Sequence, residues 1–217
     1  MNNYKNISEQ VIKRLPRYYR FLGEMLENGI IRTSSRELSL KMGSTASQIR
    51  QDLNCFGGFG QQGYGYSVQS LYNEIGKILG LDSRHSIILI GAGNLGRAVA
   101  LSISFEQRGF VLTGVFDNDP EKLGGSINGL DIMDISELES FCTANKPEAA
   151  ILCIPKTAAP EIAERLYGSG VKCFWNFSHY DLSVKFEDAV VENVHLNDSL
   201  MILCYKMNTV TENHDHS

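Results

Sequence analysis

Apolar side chains recur at helical spacing in the first eighty residues. Between residues 8 and 28 they fall three or four positions apart, which predicts a long amphipathic helix. Two shorter helices are predicted next: one is capped by Ser34 and stops at Gly43, and the other is capped by Thr45. Two short helices joined by a tight turn that contains glycine are a helix-turn-helix. One more helix is expected over residues 68–79.

The first turns of the second short helix are polar and are expected to face outward. They carry Ser44, Thr45, Ser47, Gln48, Arg50 and Gln51. Arginine suits guanine and glutamine suits adenine, so these residues are candidate DNA contacts. The glycine-rich segment after this helix predicts a tight hairpin, or wing, with Gly60, Gln61, Gln62 and Tyr64 as further candidates. A three-helix bundle used for protein contact is the alternative, but the polar helix and the wing together favour DNA.

From residue 85 onward, short apolar runs of strand length alternate with helical patterns. Strands are predicted at residues 85–90, 111–116, 129–133, 149–154, 171–177 and 189–194, and helices at 97–107, 136–144 and 158–167. This alternation predicts an α/β domain with a doubly wound parallel sheet and a ligand over the carboxyl ends of its strands. A last amphipathic helix, 197–207, is too apolar to stay exposed. Docking on its own sheet and insertion into a partner subunit are both open.

A glycine motif lies at the end of the first of these strands. It consists of Gly91, Ala92, Gly93, Asn94, Leu95 and Gly96, and it is followed by a predicted helix, which is the context that dinucleotide binding requires. Asp117 ends the next strand, where its carboxylate can accept hydrogen bonds from a ribose diol. A 2′-phosphate would meet that charge with no arginine nearby, so NAD(H) is preferred over NADP(H). The candidate walls of a nicotinamide pocket are Pro155, Lys156, Asn176 and Phe177, although Phe177 could equally be core.

Composition narrows the class of protein. The 217 residues are 43% hydrophobic, which supports packed cores, and neither an apolar membrane span nor a signal segment is present, so we expect a cytoplasmic protein. The net charge is -5, yet residues 1–80 hold ten Lys and Arg against six Asp and Glu, which suits a polyanion partner. The five cysteines are scattered without a CxxC pair, so neither disulfides nor a metal site are expected.

The sequence offers few candidate catalytic residues near the predicted nicotinamide pocket. The predicted sheet is complete by residue 194, which leaves no chain for a substrate domain, and His179, Tyr180 and His195 are the candidate acids or bases. We therefore interpret the dinucleotide as a signal and expect no enzyme. A small NAD-dependent oxidoreductase with an accessory helix-turn-helix domain is the alternative. A coenzyme A-binding domain is a third hypothesis, which Asp117 disfavours.

Five strings, taken in order, resemble the Rex family of redox-sensing transcriptional repressors. They are TASQIRQDLNCFGGFGQQGYGY, GAGNLGRA, FDNDPEKLGG, VKCFWNF and VENVHLNDSL. The resemblance implies a homodimer whose subunits have a winged-helix domain (residues 1–80), a Rossmann domain (81–194) and a helix exchanged with the partner (195–208), followed here by a tail (209–217) expected to be disordered. It also implies binding to a palindromic operator when NAD+ is abundant and release when NADH binds.

The resemblance assigns roles to individual positions. It places Arg50, Gln51 and the wing on DNA, and the glycine motif, Asp117 and Leu196 on the cofactor. The positions that would link cofactor occupancy to domain orientation are Arg20, Ser102, His195 and Asp198. This chain departs from the family at three places: Ser102 replaces a common tyrosine, His195 replaces an aspartate, and the run from Asn176 to His179 replaces NFAP.

Overall fold

The structure is a computed structural model, and it describes residues 7–57, 60–61 and 65–214. The chain divides into two compact units with the boundary between Ser83 and Arg84, called here the N-terminal unit and the C-terminal unit. Across the described ranges, no helix has both the length and the apolar character that a membrane crossing needs.

The N-terminal unit has the predicted helices and hairpin. Its elements are α1 (Glu9–Glu27), β1 (Arg32–Thr33), α2 (Ser35–Met42), α3 (Ala46–Asn54), β2 (Gly60–Gln61), β3 (Gly65–Ser67) and α4 (Val68–Ile78). Strands β2 and β3 pair antiparallel as the wing. Strand β1 was not predicted, and it pairs antiparallel with the other edge of β3. The unit is therefore a winged helix with a small three-stranded sheet.

Capping fixes the ends of the two short helices, as the sequence predicted. The Ser34 hydroxyl accepts a hydrogen bond from the Glu37 backbone N–H at 3.1 Å, and the Glu37 carboxylate accepts one from the Ser34 N–H at 2.7 Å. Gly43 then ends α2 in the left-handed conformation, with φ +56°. Thr45 caps α3 by accepting a hydrogen bond from the Gln48 N–H at 3.1 Å.

The C-terminal unit is a doubly wound α/β domain, as predicted. Its elements are β4 (His85–Ile90), α5 (Asn94–Ser102), β5 (Phe110–Asp117), β6 (Ser126–Ile127), β7 (Leu130–Asp134), α6 (Leu138–Asn145), β8 (Ala149–Leu152), α7 (Ala159–Gly168), β9 (Cys173–Asn176), β10 (Val190–Asn193) and α8 (Leu196–His214). The strand order is β10-β9-β8-β4-β5-β7-β6. The strands are parallel except for β6, which was not predicted and pairs antiparallel with β7.

Side-chain alternation along β4 builds a core on each face of the sheet. Ile88 and Ile90 belong to one buried cluster, whereas Ile87 and Leu89 belong to the other. Both faces are apolar because a parallel sheet is covered on two sides, which explains the continuous apolar run that predicted this strand. The parallel strands β5, β4 and β8 consequently end side by side, and the turns that follow them form one edge.

Two helix ends differ from the predictions by more than one turn. Helix α5 ends at Ser102 instead of residue 107, because Ile103 is extended and Phe105 enters the core with 6% of its surface exposed. The Ser102 hydroxyl also donates to the Ala98 carbonyl at 2.5 Å, a local bond that competes with helix continuation. Helix α8 continues to His214, past Met207 and into the segment predicted to be a disordered tail, since no glycine or proline interrupts it.

Candidate functional site

The glycine turn between β4 and α5 depends on two close backbone approaches. Gly91 has φ +98°, and a Cβ built on it would lie 2.4 Å from the Cys153 carbonyl oxygen. A Cβ on Gly96 would lie 1.9 Å from the Gly91 carbonyl oxygen, so α5 packs directly on the turn. Gly93, in contrast, faces open space, and a Cβ there would meet no atom within 4 Å. The turn is therefore shaped by Gly91 and Gly96 and leaves room for a ligand at Gly93.

Asp117 ends β5 and holds this turn from the side. Its side chain is 6% exposed. One carboxylate oxygen accepts a hydrogen bond from the Ala92 backbone N–H at 2.7 Å, and the other accepts one from the Asp119 N–H at 2.9 Å. The carboxylate was predicted to bind a ribose diol, but two of its acceptor positions are already engaged by backbone. Its first structural role is to tie the end of β5 to the glycine turn.

Lys122 brings a positive charge to the same carboxylate. Its ammonium lies 3.3 Å from both oxygens of Asp117 and 3.2 Å from Asp119. The hydrogen bond to Asp119 raises the pKa of Lys122, with smaller contributions from Asp117. The sequence argument against NADP(H) considered arginine alone, and it did not anticipate the Lys122 ammonium beside Asp117. The spacing of Lys122, three residues after Asp119, was a signal that could have revealed it.

A cavity of about 400 Å³ lies against the turn. Its lining includes Gly91, Gly93, Asp117, Lys122, Pro155 and Arg165. Arg165 was not predicted: its guanidinium donates to the Glu139 carboxylate at 2.5 and 2.8 Å and to the Ile135 carbonyl at 2.7 Å. The hydrogen bonds from Arg165 to this carboxylate lower the pKa of Glu139 to about 2. The cavity thus has a fixed cation on α7, far from the glycine motif in sequence.

The other predicted walls of a nicotinamide pocket do not line this cavity. Asn176 is 1% exposed, and its amide nitrogen donates to the Tyr180 carbonyl at 2.7 Å and to Asn193 at 2.8 Å. Its amide oxygen accepts from Ser178, so Asn176 ties β9 to β10 and to the next loop. Phe177 packs edge to face on Trp175 at 4.8 Å, which agrees with its alternative interpretation as core. Lys156 is exposed.

The predicted switch residues are exposed. The Arg20 guanidinium lies 5.3 Å from the ring of Phe21, within the N-terminal unit. In the C-terminal unit, the Nδ1 atoms of His179 and His195 are 3.1 Å apart, which joins the loops that follow β9 and β10. The exposed Asp198 donates its backbone N–H to the His195 carbonyl at 3.1 Å, and Leu196 beside it is 58% exposed.

Most of the predicted DNA contacts at α3 have exposed side chains. Thr45, Ser47, Arg50 and Gln51 are exposed, and Ser44 is half-buried. The Arg50 guanidinium donates to the Ser35 hydroxyl on α2 at 3.2 Å. Asn54 was not among the predicted contacts, and its helical spacing from Arg50 and Gln51 puts it on the same exposed face.

The side chain of Gln48 differs from the expectation of a free, outward-facing contact. It is half-buried, and its amide nitrogen donates to the Asp52 carboxylate at 2.8 Å. Gly60 and Gln61 lie on β2, where they pair with Tyr66 and Gly65 of β3. The predicted contacts Gln62 and Tyr64 lie outside the described residues.

An apolar groove and an apolar helix occur together in the C-terminal unit. The groove has a volume of about 530 Å³, and its lining includes Ile103, Phe105, Phe110, Trp175 and Val190. Helix α8 leaves its large apolar side chains in solvent, with Leu200 63% and Tyr205 70% exposed. Docking of the last helix on its own sheet, one of the two interpretations of its apolar face, was therefore wrong.

A winged helix joined to a parallel α/β unit with a glycine turn defines a class of DNA-binding regulators that carry a nucleotide-binding domain. Family models agree with each half: one described as "Putative DNA-binding protein N-terminus" matches residues 6–54, and one described as "CoA binding domain" matches residues 82–180.

Relatives identify the family. The chain is 55% identical to the redox-sensing transcriptional repressor Rex of Thermoanaerobacter pseudethanolicus, over 96% of this chain and 92% of that protein. It is 51% identical to the Rex protein of Clostridium perfringens strain SM101, over 96% and 98% of the two chains. The chain belongs to the Rex family of redox-sensing transcriptional repressors, and it is a regulator instead of an enzyme.

Solved structures of a Rex-family repressor called RSP share the fold. RSP in complex with β-NADH superposes with a TM-score of 0.89 at 49% identity, covering 98% of this chain and 100% of that one. RSP in complex with β-NAD+ and operator DNA has a TM-score of 0.86 at 53% identity, and 96% of each chain is covered. These matches confirm the predicted fold class, a winged-helix domain followed by a Rossmann domain.

Proposed function

We propose that this chain binds operator DNA through its N-terminal unit and is released when NADH binds to its C-terminal unit. The observation that carries the proposal is the pair of RSP structures, one with β-NADH and one with β-NAD+ and operator DNA, at about half identity over nearly the whole chain. We also propose that it works in the cytoplasm, where the operators of its bacterial relatives lie.

The dinucleotide would lie across the carboxyl ends of β5, β4 and β8. Free N–H groups at the start of α5 and the open space at Gly93 support a pyrophosphate there. Asp117 would hold the turn in shape, and its carboxylate would accept hydrogen bonds from the ribose diol in exchange for those that it accepts from Lys122. Pro155 lines the same cavity on the β8 side, toward the expected nicotinamide. We place Leu196, at the start of α8, near the cofactor only through the family resemblance.

DNA would contact the exposed face of α3 and the wing. Arg50 and Gln51 supply the base contacts, and Ser44, Thr45 and Ser47 surround the start of α3, where backbone N–H groups favour a phosphate. Asn54 extends this face by one turn. Gly60 and Gln61, with Gln62 and Tyr64, would bring the wing to the neighbouring groove.

The dimer would form by exchange of α8. The apolar groove on the sheet and the exposed apolar side chains of α8 belong to the same unit, and α8 does not cover the groove of its own chain. A second copy of this chain offers the matching helix, and a two-fold pair of such contacts closes without leaving either surface free. This arrangement would put the start of α8, with His195 and Asp198, next to both cofactor sites.

The proposed release from DNA requires a minimum free-energy difference between the two conformations. To move the protein from about 99% DNA-competent to about 1%, NADH must favour the released conformation by roughly 5.5 kcal/mol in total, which two sites in a dimer can share. Arg20, Ser102, His195 and Asp198 are proposed to transmit this preference.

Electrophoretic mobility shift titrations of a palindromic operator, with and without NADH, test the proposal. Operator affinity should fall as NADH rises, and NAD+ should leave the complex intact. Indifference to NADH across its physiological concentration range would exclude the sensor function. Because one family model carries the name of coenzyme A, calorimetry should compare NADH and coenzyme A as ligands.

A further inference from the structure

A buried carboxylate lies on α3, on the side opposite to its exposed face. Asp52 is 1% exposed. Oδ2 accepts hydrogen bonds from Arg14 Nε at 2.7 Å and from the Tyr18 hydroxyl at 2.9 Å. Oδ1 accepts from Arg14 Nη2 at 2.7 Å and from Gln48 Nε2 at 2.8 Å. A carboxylate has about four acceptor positions, so those of Asp52 are all in use.

The charge of Asp52 decides the orientation of the Gln48 amide. Burial raises the pKa of Asp52, but the hydrogen bonds from Arg14, Gln48 and Tyr18 outweigh burial, and the net pKa lies below its ordinary value. Asp52 is therefore ionised at neutral pH, and an ionised carboxylate only accepts. The Gln48 amide must turn its nitrogen toward Asp52, because the flipped orientation would bring two oxygens together.

This orientation leaves the Gln48 amide with a defined recognition edge. Its oxygen remains an acceptor, and one N–H remains a donor. Adenine presents the complementary pair in the major groove, the N6 amino donor and the N7 acceptor. Gln48 lies between Ser47 and Arg50 in the first turns of α3, the part of a recognition helix that meets base edges.

We infer that Asp52 is a positioning residue for DNA recognition, which fixes the Gln48 amide so that this side chain selects adenine. The inference rests on the proposed operator binding. Arg14 on α1 holds the carboxylate through both of its oxygens, whereas the Tyr18 hydroxyl donates to Oδ2 alone. The preference for adenine therefore depends on a residue that is itself shielded from DNA by burial.

A base-substitution profile tests this role. Wild-type protein first selects its operator from a random duplex library, and affinities are then measured for every single-base change of that operator. Gln48→Ala should identify one A·T pair by losing about tenfold discrimination there. Asp52→Asn should lose discrimination at the same pair, and the double variant should lose no more than Gln48→Ala does.

Tyr18→Phe is the matched control. This substitution removes the hydrogen bond that Oδ2 of Asp52 accepts from Tyr18. The hydrogen bond that Oδ1 accepts from Gln48 is left in place. Its discrimination at the A·T pair should equal that of wild type. If Asp52→Asn instead weakens every duplex by the same factor, or if the double variant is additive at that pair, Asp52 is only structural and the inference is wrong. A wild-type protein that selects no sequence would refute the proposed function instead.

Side-chain amide relaxation by NMR tests the orientation in the wild-type protein, independently of whether a variant folds. The Gln48 amide should show an order parameter near that of rigid backbone, roughly 0.85, whereas the exposed Gln51 amide on the same helix should stay below about 0.6. Equal mobility of the two amides would contradict the inference.

Discussion

The carboxylate of Asp117 accepts a hydrogen bond from the backbone N–H of Ala92 at 2.7 Å, across 25 residues of sequence. The acidic residue that ends β5 therefore supports the turn that follows β4. The ribose subsite and the phosphate subsite of the proposed cofactor site share one buried carboxylate. A substitution in one subsite should therefore also weaken binding in the other.

Replacing Asp117 should weaken NADH binding and spare operator binding. Asp117→Ala removes the proposed acceptor of the ribose diol and frees the Ala92 and Asp119 N–H groups that hold the turn. A hydrogen bond to a charged group contributes about 1.5–3 kcal/mol, so we expect roughly a tenfold or greater loss of NADH affinity by calorimetry. Asp131→Ala removes an exposed carboxylate from the same sheet and should change neither activity. Equal loss of both activities in a folded Asp117→Ala protein would contradict the separation of roles.

Substitutions at two glycines of the same turn should have different effects on stability and on NADH binding. Gly96→Ala places a methyl group 1.9 Å from the Gly91 carbonyl oxygen, so it should lower the melting temperature and abolish NADH binding. Gly93→Ala meets no atom within 4 Å, so it should keep the melting temperature and still weaken NADH binding by blocking the pyrophosphate. Thermal melts and NADH titrations check this, and unchanged NADH affinity in Gly93→Ala would place the pyrophosphate elsewhere.

Arg50→Ala should act on DNA alone. A lost base contact costs about 1–3 kcal/mol, so operator affinity should fall roughly 5- to 150-fold while NADH affinity stays the same. The loss should be smaller on non-operator duplex, because a base contact carries sequence information and a phosphate contact does not. A uniform loss on all duplexes would reassign Arg50 to the phosphate backbone.

Acid should destabilise the N-terminal unit through Asp52. Its pKa in the folded protein lies below the ordinary value of 3.8, so it contributes stability that is fully present above that value and is lost as the pH falls below it toward the folded pKa. Thermal unfolding followed from pH 6 down to pH 2.5 should show this loss, and Asp52→Asn should be less stable at pH 6 and show a shallower decline. A decline as steep as that of wild type would assign the acid sensitivity to other carboxylates.

Charging the apolar face of α8 should dissociate the proposed dimer. Leu200→Asp with Leu203→Asp places two charges where the sheet groove of a second copy would bury them, which is far costlier than leaving them in solvent. Light scattering should report monomers at micromolar concentration. Lys206→Asp alters charge on the same helix without removing apolar surface and should remain dimeric. A double variant that stays dimeric would exclude exchange of α8.

The sequence predicted helix ends and buried strands well where the signal lies within a few residues. The caps at Ser34 and Thr45 lie within three residues of their partners, and the apolar run of β4 is characteristic of a strand covered on both faces. Short edge strands such as β1 and β6 were missed, because two residues are too few to show a period. Helix α5 is shorter than predicted because the chain becomes extended at Ile103 and buries Phe105 in the core, a long-range contact that helical periodicity does not show.

The sequence by itself determined the order of helices and strands, the position of the glycine turn and the polar face of α3, since these depend on spacing within a few residues. Tertiary structure alone decided which charged side chains on separate elements meet. Arg14 meets Asp52 across 38 residues, and Arg165 meets Glu139 across 26. Periodicity along the sequence predicts which face of a helix or strand is buried. The side chain that pairs with a buried charge depends instead on how separate elements pack against each other.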